Sequence, residues 1–316
     1  MTTPQINAER LLNSLAEMAK IGATEKGGVC RLAGTIEDKK GRDLFASWAK
    51  IENCEISVDQ IGNMFAHRPA KNNELPPVIL GSHLDSQPTG GKYDGAYGVI
   101  AALEVIRCLN DHDVETARPI EAVSWTNEEG SRFPPAMMGS GVFSGAIDLE
   151  TALETKDSHG ISVREALTNI GYAGDRSCGN RPIHTYLEAH IEQGPILEQE
   201  NTTIGAVLGI QGIRWFDIVV EGKEAHAGPT PMSAREDALV GAANLILEIE
   251  NIALRHLPDG RTTVGTMDVF PNSRNVIPGR VTLGIDMRHP EAEVLALMAE
   301  ELRACFKTVC KAKRVT

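Results

Sequence analysis

Residues 78–95 read VILGSHLDSQPTGGKYDG, and this stretch decides the fold. Three apolar residues, Val78-Ile79-Leu80, run as a strand into a polar, glycine-rich loop. Past the loop, Gly98 to about Leu109 reads as a helix and Ile120 to Trp125 as a second strand. Strand, loop, helix, strand is the signature of an α/β domain with a largely parallel sheet. Ligands of such sheets bind beyond the carboxyl ends of the strands, so the polar loops that follow are where chemistry is expected.

Upstream, two amphipathic helices are expected, one carrying Leu11, Leu12, Leu15 and Met18, the other Leu44, Phe45, Trp48 and Ile51, with a turn signal at Gly62-Asn63. From about Gly209 the pattern changes. A strand (Trp215 to Val220), a long helix (Ala234 to about Leu254), two strands (Thr263 to Val269, Arg280 to Asp286) and a helix (Glu291 to about Val309) follow. This βαββα order is nearly a ferredoxin-like βαββαβ unit. The sequence therefore divides into a catalytic domain over 1–208 and a smaller domain over 209–316. Only about seven residues follow Val309, too few for a turn and a closing strand. The chain is thus expected to stop before its last small-domain strand and before the catalytic domain is completed.

Composition narrows the function. A chain of 316 residues, 42% hydrophobic, is long enough to bury sizeable cores. Its formal net charge of −12 argues against nucleic acid, whose binders neutralise phosphate with clustered Lys and Arg. No apolar run is long enough to span a membrane, and MTTPQINAER lacks the pattern of a secretion signal. Six scattered cysteines without a C-x-x-C pair read as free thiols, so a cytoplasmic protein is expected.

The loops carry imidazole and carboxylate together. His83 and Asp85 follow the first strand, Asp94 lies further along the same loop, and Glu128-Glu129 follow the second strand. That donor mix suits zinc, manganese, cobalt or nickel better than calcium or magnesium. His83 would bind through one ring nitrogen while Asp85, two residues on, takes a bond from the other. Asp94 could bridge two cations; alone it would read as an ordinary turn aspartate before glycine. Glu128 and Glu129 can divide the labour of proton carrier and ligand, and alone would read as solvated turn residues. Tyr186, Glu188 and His190 alternate onto one face of a strand, with His190 a further candidate ligand and Glu188 and Glu192 open to a structural reading. In the smaller domain Arg288 suits a substrate carboxylate, although alone it fits a surface ion pair better.

Five segments carry a resemblance: GSHLDSQPTGGKYDGAYGV (81–99), WTNEEGSRF (125–133), YLEAHIEQGPILE (186–198), EGKEAHAGPTPMSAREDAL (221–239) and SRNVIPGRVTLGIDMRHP (273–290). Together they resemble the carbamoylase branch of the dinuclear-zinc amidase and peptidase superfamily, which includes aminoacylase and carboxypeptidase G. The resemblance implies a zinc-peptidase-like catalytic domain with an inserted lid and dimerisation domain. It implies two divalent metal ions held by His83, Asp94 as bridge, Glu129 and His190, with Glu128 as general base. It further implies a homodimer in which His226 reaches into the partner's active site, while Gln193, Asn275 and Arg288 hold the substrate.

The expected reaction is hydrolysis of the ureido C–N bond of an N-carbamoyl amino acid to the amino acid, ammonia and carbon dioxide. Glu128 would move the proton, and Asp85 and His226 would assist. Its rivals are an allantoate or ureidoglycolate amidohydrolase or a dipeptidase or aminoacylase of the same fold, and, more remotely, a non-catalytic dimeric binding protein.

Overall fold

The computed structural model describes residues 4–316, which form two compact units dividing between Asn201 and Thr202. Each is described by itself.

The first unit runs α1 (Ala8–Ala19), α2 (Ile36–Ile51), β1 (Glu55–Val58), β2 (Met64–Arg68), β3 (Val78–His83), α3 (Ala96–Asp111), β4 (Ile120–Trp125), α4 (Met138–Ser144), α5 (Leu149–Glu154), α6 (Val163–Ile170), β5 (Thr185–Leu187) and α7 (Ile196–Gln199). Local chemistry sets the helix ends. The Asn7 side chain accepts from the Arg10 N–H, Thr35 accepts from Asp38, and Ser162 with Glu165 forms a reciprocal capping box. Of the expected stripes of α1 and α2, Leu15, Met18 and Phe45 are buried and Leu11, Leu44 and Trp48 pack against the core, whereas Leu12 and Ile51 are exposed, each lying off the helix face that meets the core.

The sheet has the order β1-β2-β4-β3-β5. The sequence predicts a mostly parallel sheet, and the structure corrects this to a mixed one. β3 pairs in parallel with β4 and β5, whereas β1–β2 and β2–β4 are antiparallel. The cause is the connection length. Asp59–Asn63 is a tight turn, closed by Gly62 N–H to Asp59 O at 2.9 Å with Gly62 at φ 84°, so β1 and β2 must form a hairpin. The β3–β4 connection contains α3 and can cross over to a parallel neighbour. Strand alternation gives each face a core: Met64, Ala66 and Ala122 join the main one with Ile100 and Leu103 of α3, while Phe65, Ile79, Val123 and Trp125 pack with Phe143 and Tyr186 on the other.

The second unit runs β6 (Gly212–Glu221), β7 (Ala225–His226), α8 (Ala238–Arg255), β8 (Arg261–Phe270), β9 (Val276–Ile277), β10 (Arg280–His289) and α9 (Ala292–Lys313). The expected strand–helix–strand–strand–helix order is present, with an added two-stranded ladder of β7 and β9. Its main sheet is antiparallel in the order β6-β10-β8. Val281, Leu283, Ile285 and Met287 of β10 are buried in alternation and pack against side chains of α8 and α9, so Asp286 and Arg288 lie on the opposite face. Thr316 exchanges both main-chain hydrogen bonds with Glu221 of β6. All six cysteines are free, and among the described residues no helix is long and apolar enough to cross a membrane.

Candidate metal centre

Because β3, β4 and β5 run parallel, their carboxyl ends deliver His83, Glu128-Glu129 and His190 to one edge of the sheet. Asp94 arrives there at the start of α3. One nitrogen of His83, one of His190 and one carboxylate oxygen of Asp94 lie within 4.8 Å of one another. Asp94 Oδ1 is 3.8 Å from His83 Nε2 and 3.4 Å from His190 Nε2. Ligand atoms around one tetrahedral zinc at ~2.1 Å would be roughly 3.4 Å apart, so these spacings are of the right size.

Both imidazoles are oriented so that Nε2 is the nitrogen available to a cation. His83 Nδ1 lies 2.9 Å from the Asp85 carbonyl oxygen, and His190 Nδ1 lies 2.8 Å from that of Ile191. A carbonyl can only accept, so Nδ1 donates in each ring and Nε2 is the nitrogen that faces Asp94. The His83 contact departs from the expected one. The Asp85 main chain, not its carboxylate, takes the imidazole proton, and Asp85 Oδ1 stands 3.9 Å from the ring.

The Asp85 carboxylate acts on the other loop. It accepts the main-chain N–H groups of both Glu128 (3.1 Å) and Glu129 (3.2 Å), tying the end of β3 to the segment after β4. Asn127, buried and left-handed at φ 52°, makes the turn, and its amide donates to the Phe133 carbonyl at 2.7 Å. Glu128 Oε2 then sits 3.4 Å from His83 Nε2. Burial pushes the Glu128 carboxyl above its ordinary value, and the charges of Asp85, Glu188 and Asp94 reinforce this against the pull of His83. Burial likewise raises Glu129, partly offset by a hydrogen bond from Gln87.

The residues fit a divalent cation on independent grounds. Glu129 Oε1 is buried without a hydrogen-bond partner, a costly state for a carboxylate oxygen. Two nitrogens and a shared carboxylate are the donor set of zinc and its first-row neighbours.

Around the centre, Gln193, left-handed at φ 58°, donates its amide to Asp94 Oδ2. Glu188 accepts from the hydroxyls of Ser82 and Tyr186, the latter at 2.6 Å, and Tyr186 accepts from Trp125 Nε1 at 2.9 Å. Glu192 accepts the main-chain N–H groups of Ile196 and Leu197, at the start of α7. Gly95, at φ 62°, leaves room for the His83 ring, since a Cβ there would lie 2.4 Å from two ring atoms.

The other expected site residues belong to the second unit. His226 is exposed on β7, and its Nδ1 accepts from the Gly228 N–H at 3.1 Å, which leaves the proton on Nε2. The β7–β9 ladder brings Asn275 close, with Ala227 N–H donating to the Asn275 carbonyl at 2.9 Å. Arg288 stands at the far end of β10 and is paired with Asp286 through two bonds of 2.8 and 2.7 Å. The ion-pair alternative for Arg288 is thus realised, with a partner the sequence reading did not name although residues two apart on a strand share a face.

The sequence profile of peptidase family M20/M25/M40 matches residues 79–312. The chain belongs to this family. Within M20 relatives it is 45% identical over 307 residues to an N-carbamoyl-L-amino-acid amidohydrolase from Rhizobium meliloti, covering 97% of this chain and 74% of the relative. It is 35% identical over 301 residues to an allantoate amidohydrolase from Bacillus subtilis (strain 168), covering 94% and 73%. The crystal structure of an amidase of the hydantoinase/carbamoylase family from Burkholderia vietnamiensis is 53% identical, with a TM-score of 0.96, over 100% of this chain and 76% of that one.

Proposed function

We propose that this M20-family chain hydrolyses the ureido C–N bond of N-carbamoyl amino acids with divalent metal at the ends of β3, β4 and β5. The observation that carries the reading is the convergence of two imidazole Nε2 atoms on Asp94, with the Glu128 carboxylate 3.4 Å from His83 Nε2. Its relatives' activities agree with it: the Rhizobium protein is named for N-carbamoyl-L-amino acids.

Two divalent ions, zinc first and manganese, cobalt or nickel as substitutes, would be held by His83, Asp94 and His190 on one side and by Asp94 and Glu129 on the other. Such ions supply positive charge that acidifies water and polarises a carbonyl oxygen. Glu128 accepts the proton of the attacking water and hands it to the departing amine nitrogen. Asp85 holds Glu128 and Glu129 in register through their main chain. His226, protonated on Nε2, donates to the developing oxyanion. Gln193, Asn275 and Arg288 orient the substrate carboxylate, turning remote binding into placement of the carbonyl. Loss of the amine leaves carbamic acid, which decomposes to ammonia and carbon dioxide.

The second unit serves as lid and dimerisation domain in this reading. His226 and Asn275 lie beside the Arg280 end of β10, whereas Arg288 lies eight residues along it, about 27 Å away at ~3.4 Å per residue. One small ureido acid cannot span that distance. The two groups therefore serve one substrate only if they come from two copies of the chain, which supports a homodimer.

Ammonia release by the metal-loaded full-length protein tests the reading, with N-carbamoyl-L-amino acids, N-carbamoyl-β-alanine, allantoate and ureidoglycolate compared. The N-carbamoyl acids should be the better substrates. Turnover of allantoate alone would transfer the reading to that rival, and no turnover of any would sink it. Mixing inactive His226→Ala and Glu128→Gln proteins should restore partial activity once subunits exchange. No recovery despite exchange would return His226 to its own subunit's site.

A further inference from the structure

We infer that Gln87 is a positioning residue for Glu129: its amide holds one carboxylate oxygen so that the other is presented to a cation. This rests on the metal-centre reading above and deepens it. Gln87 Nε2 donates to Glu129 Oε2 at 3.1 Å, while Glu129 Oε1 is buried and has no partner. A carboxylate has only acceptors, so the amide must turn its NH2 group toward Glu129 and not its oxygen. One oxygen saturated and the other bare is the arrangement of a one-oxygen ligand. Hydrogen bonds of this kind orient metal-binding carboxylates.

The loop under Gln87 is built to keep the amide in place. The Gln87 main-chain carbonyl oxygen accepts from Ser86 Oγ at 2.9 Å and from the Gly90 N–H at 3.3 Å. Ser86 N–H donates to Arg31 O, and Val29 and Gly90 exchange main-chain bonds, each at 2.9 Å. Arg31 is fully buried and donates through Nε to the Leu84 carbonyl at 2.9 Å. The opposite end of the contact is also fixed, because the Glu129 N–H is held by Asp85. The Gln87 side chain itself is exposed and contributes little to the core, so its removal separates a positioning role from a structural one.

The test uses the full-length protein with Gln87→Met, which keeps the side-chain length and removes the donor. Zn2+ and Co2+ affinities are measured by chelator competition, Co2+ ligation by visible absorption, and fold by thermal unfolding of the metal-free protein. The expected result is cation affinity weakened by about 10- to 100-fold, an altered Co2+ spectrum, unchanged thermal unfolding, and turnover recovered by excess metal. Wild-type affinity and spectrum in the variant would overturn the inference while leaving the metal centre standing. No Zn2+ or Co2+ binding by the wild-type protein would overturn the metal centre itself. A cycle with Glu129→Gln guards against misfolding. Adding Gln87→Met to that variant should weaken binding no further, and additive losses would also overturn the assignment.

Discussion

The first unit buries His83, Asp85 and Asp94 while leaving His190 exposed, and the second leaves its candidate residues more open. The carboxylates of Asp85 and Asp94 are tied over long range, to the main chain of Glu128 and Glu129 and to the Gln193 amide, whereas the His83 and His190 rings are set by carbonyls one or two residues away. His226 is exposed and Arg288 half-buried, and their bonds come from residues two places away, Gly228 and Asp286. Groups that hold a cation and move protons must be fixed closely, and here long-range ties fix the carboxylates while local carbonyls orient the rings. Groups that grip a substrate must stay open to it, so local ties suffice.

Asp94→Ala should break the first half of that contrast most severely. It removes the carboxylate both imidazoles face, so turnover should vanish and cation affinity should fall by more than the 10- to 100-fold typical of losing a ligand's hydrogen-bond partner. Full metal occupancy, measured by elemental analysis, would deny Asp94 its place. Glu128→Gln should lower kcat by about 10²–10⁴-fold with cation affinity retained. Activity within tenfold of wild type would remove Glu128 from the proton path.

Arg288→Lys sharpens the second half. A lysine cannot hold Asp286 in two places and also grip a carboxylate, so KM for an N-carbamoyl acid should rise about 10- to 100-fold with kcat little changed. Steady-state kinetics decide it, and an unchanged KM would make the Asp286–Arg288 pair merely structural. The smallest effect concerns acid stability of the first unit. Burial pushes the Glu121 carboxyl up, but bonds from His67 and Arg181 outweigh it, and the carboxyl ends below its ordinary value. Its contribution is therefore fully present above the unfolded value of about 4.3 and lost as pH falls through the folded one. Glu121→Gln should lower the melting temperature at neutral pH and flatten its decline below about pH 5; an unchanged acid limb would count against the pairing.

The sequence made some of this legible and hid the rest for identifiable reasons. Val78-Ile79-Leu80 and Ile120 to Trp125 announce strands because both are unbroken apolar runs closed by polar loops. β1 and β2 escape notice because each is short and their turn, Gly62-Asn63, is visible without its flanks. The donor residues of the candidate centre are recognisable by type and position. Their hydrogen bonds are not: period-two reasoning puts the Asp85 carboxylate beside His83, whereas the loop after β4 draws it to two main-chain N–H groups. Gln87 and Asp286 act through contacts that spacing alone does not reveal.

Gly95 bears on engineering. Its left-handed backbone and the 2.4 Å approach of the His83 ring mean that any side chain there would strain the chain and push the imidazole aside at once. Randomising this codon should return glycine almost exclusively among active clones, even though the residue donates nothing to a metal or a substrate. Libraries aimed at new substrates should spare it and draw their diversity from exposed neighbours such as Lys92 and Tyr93.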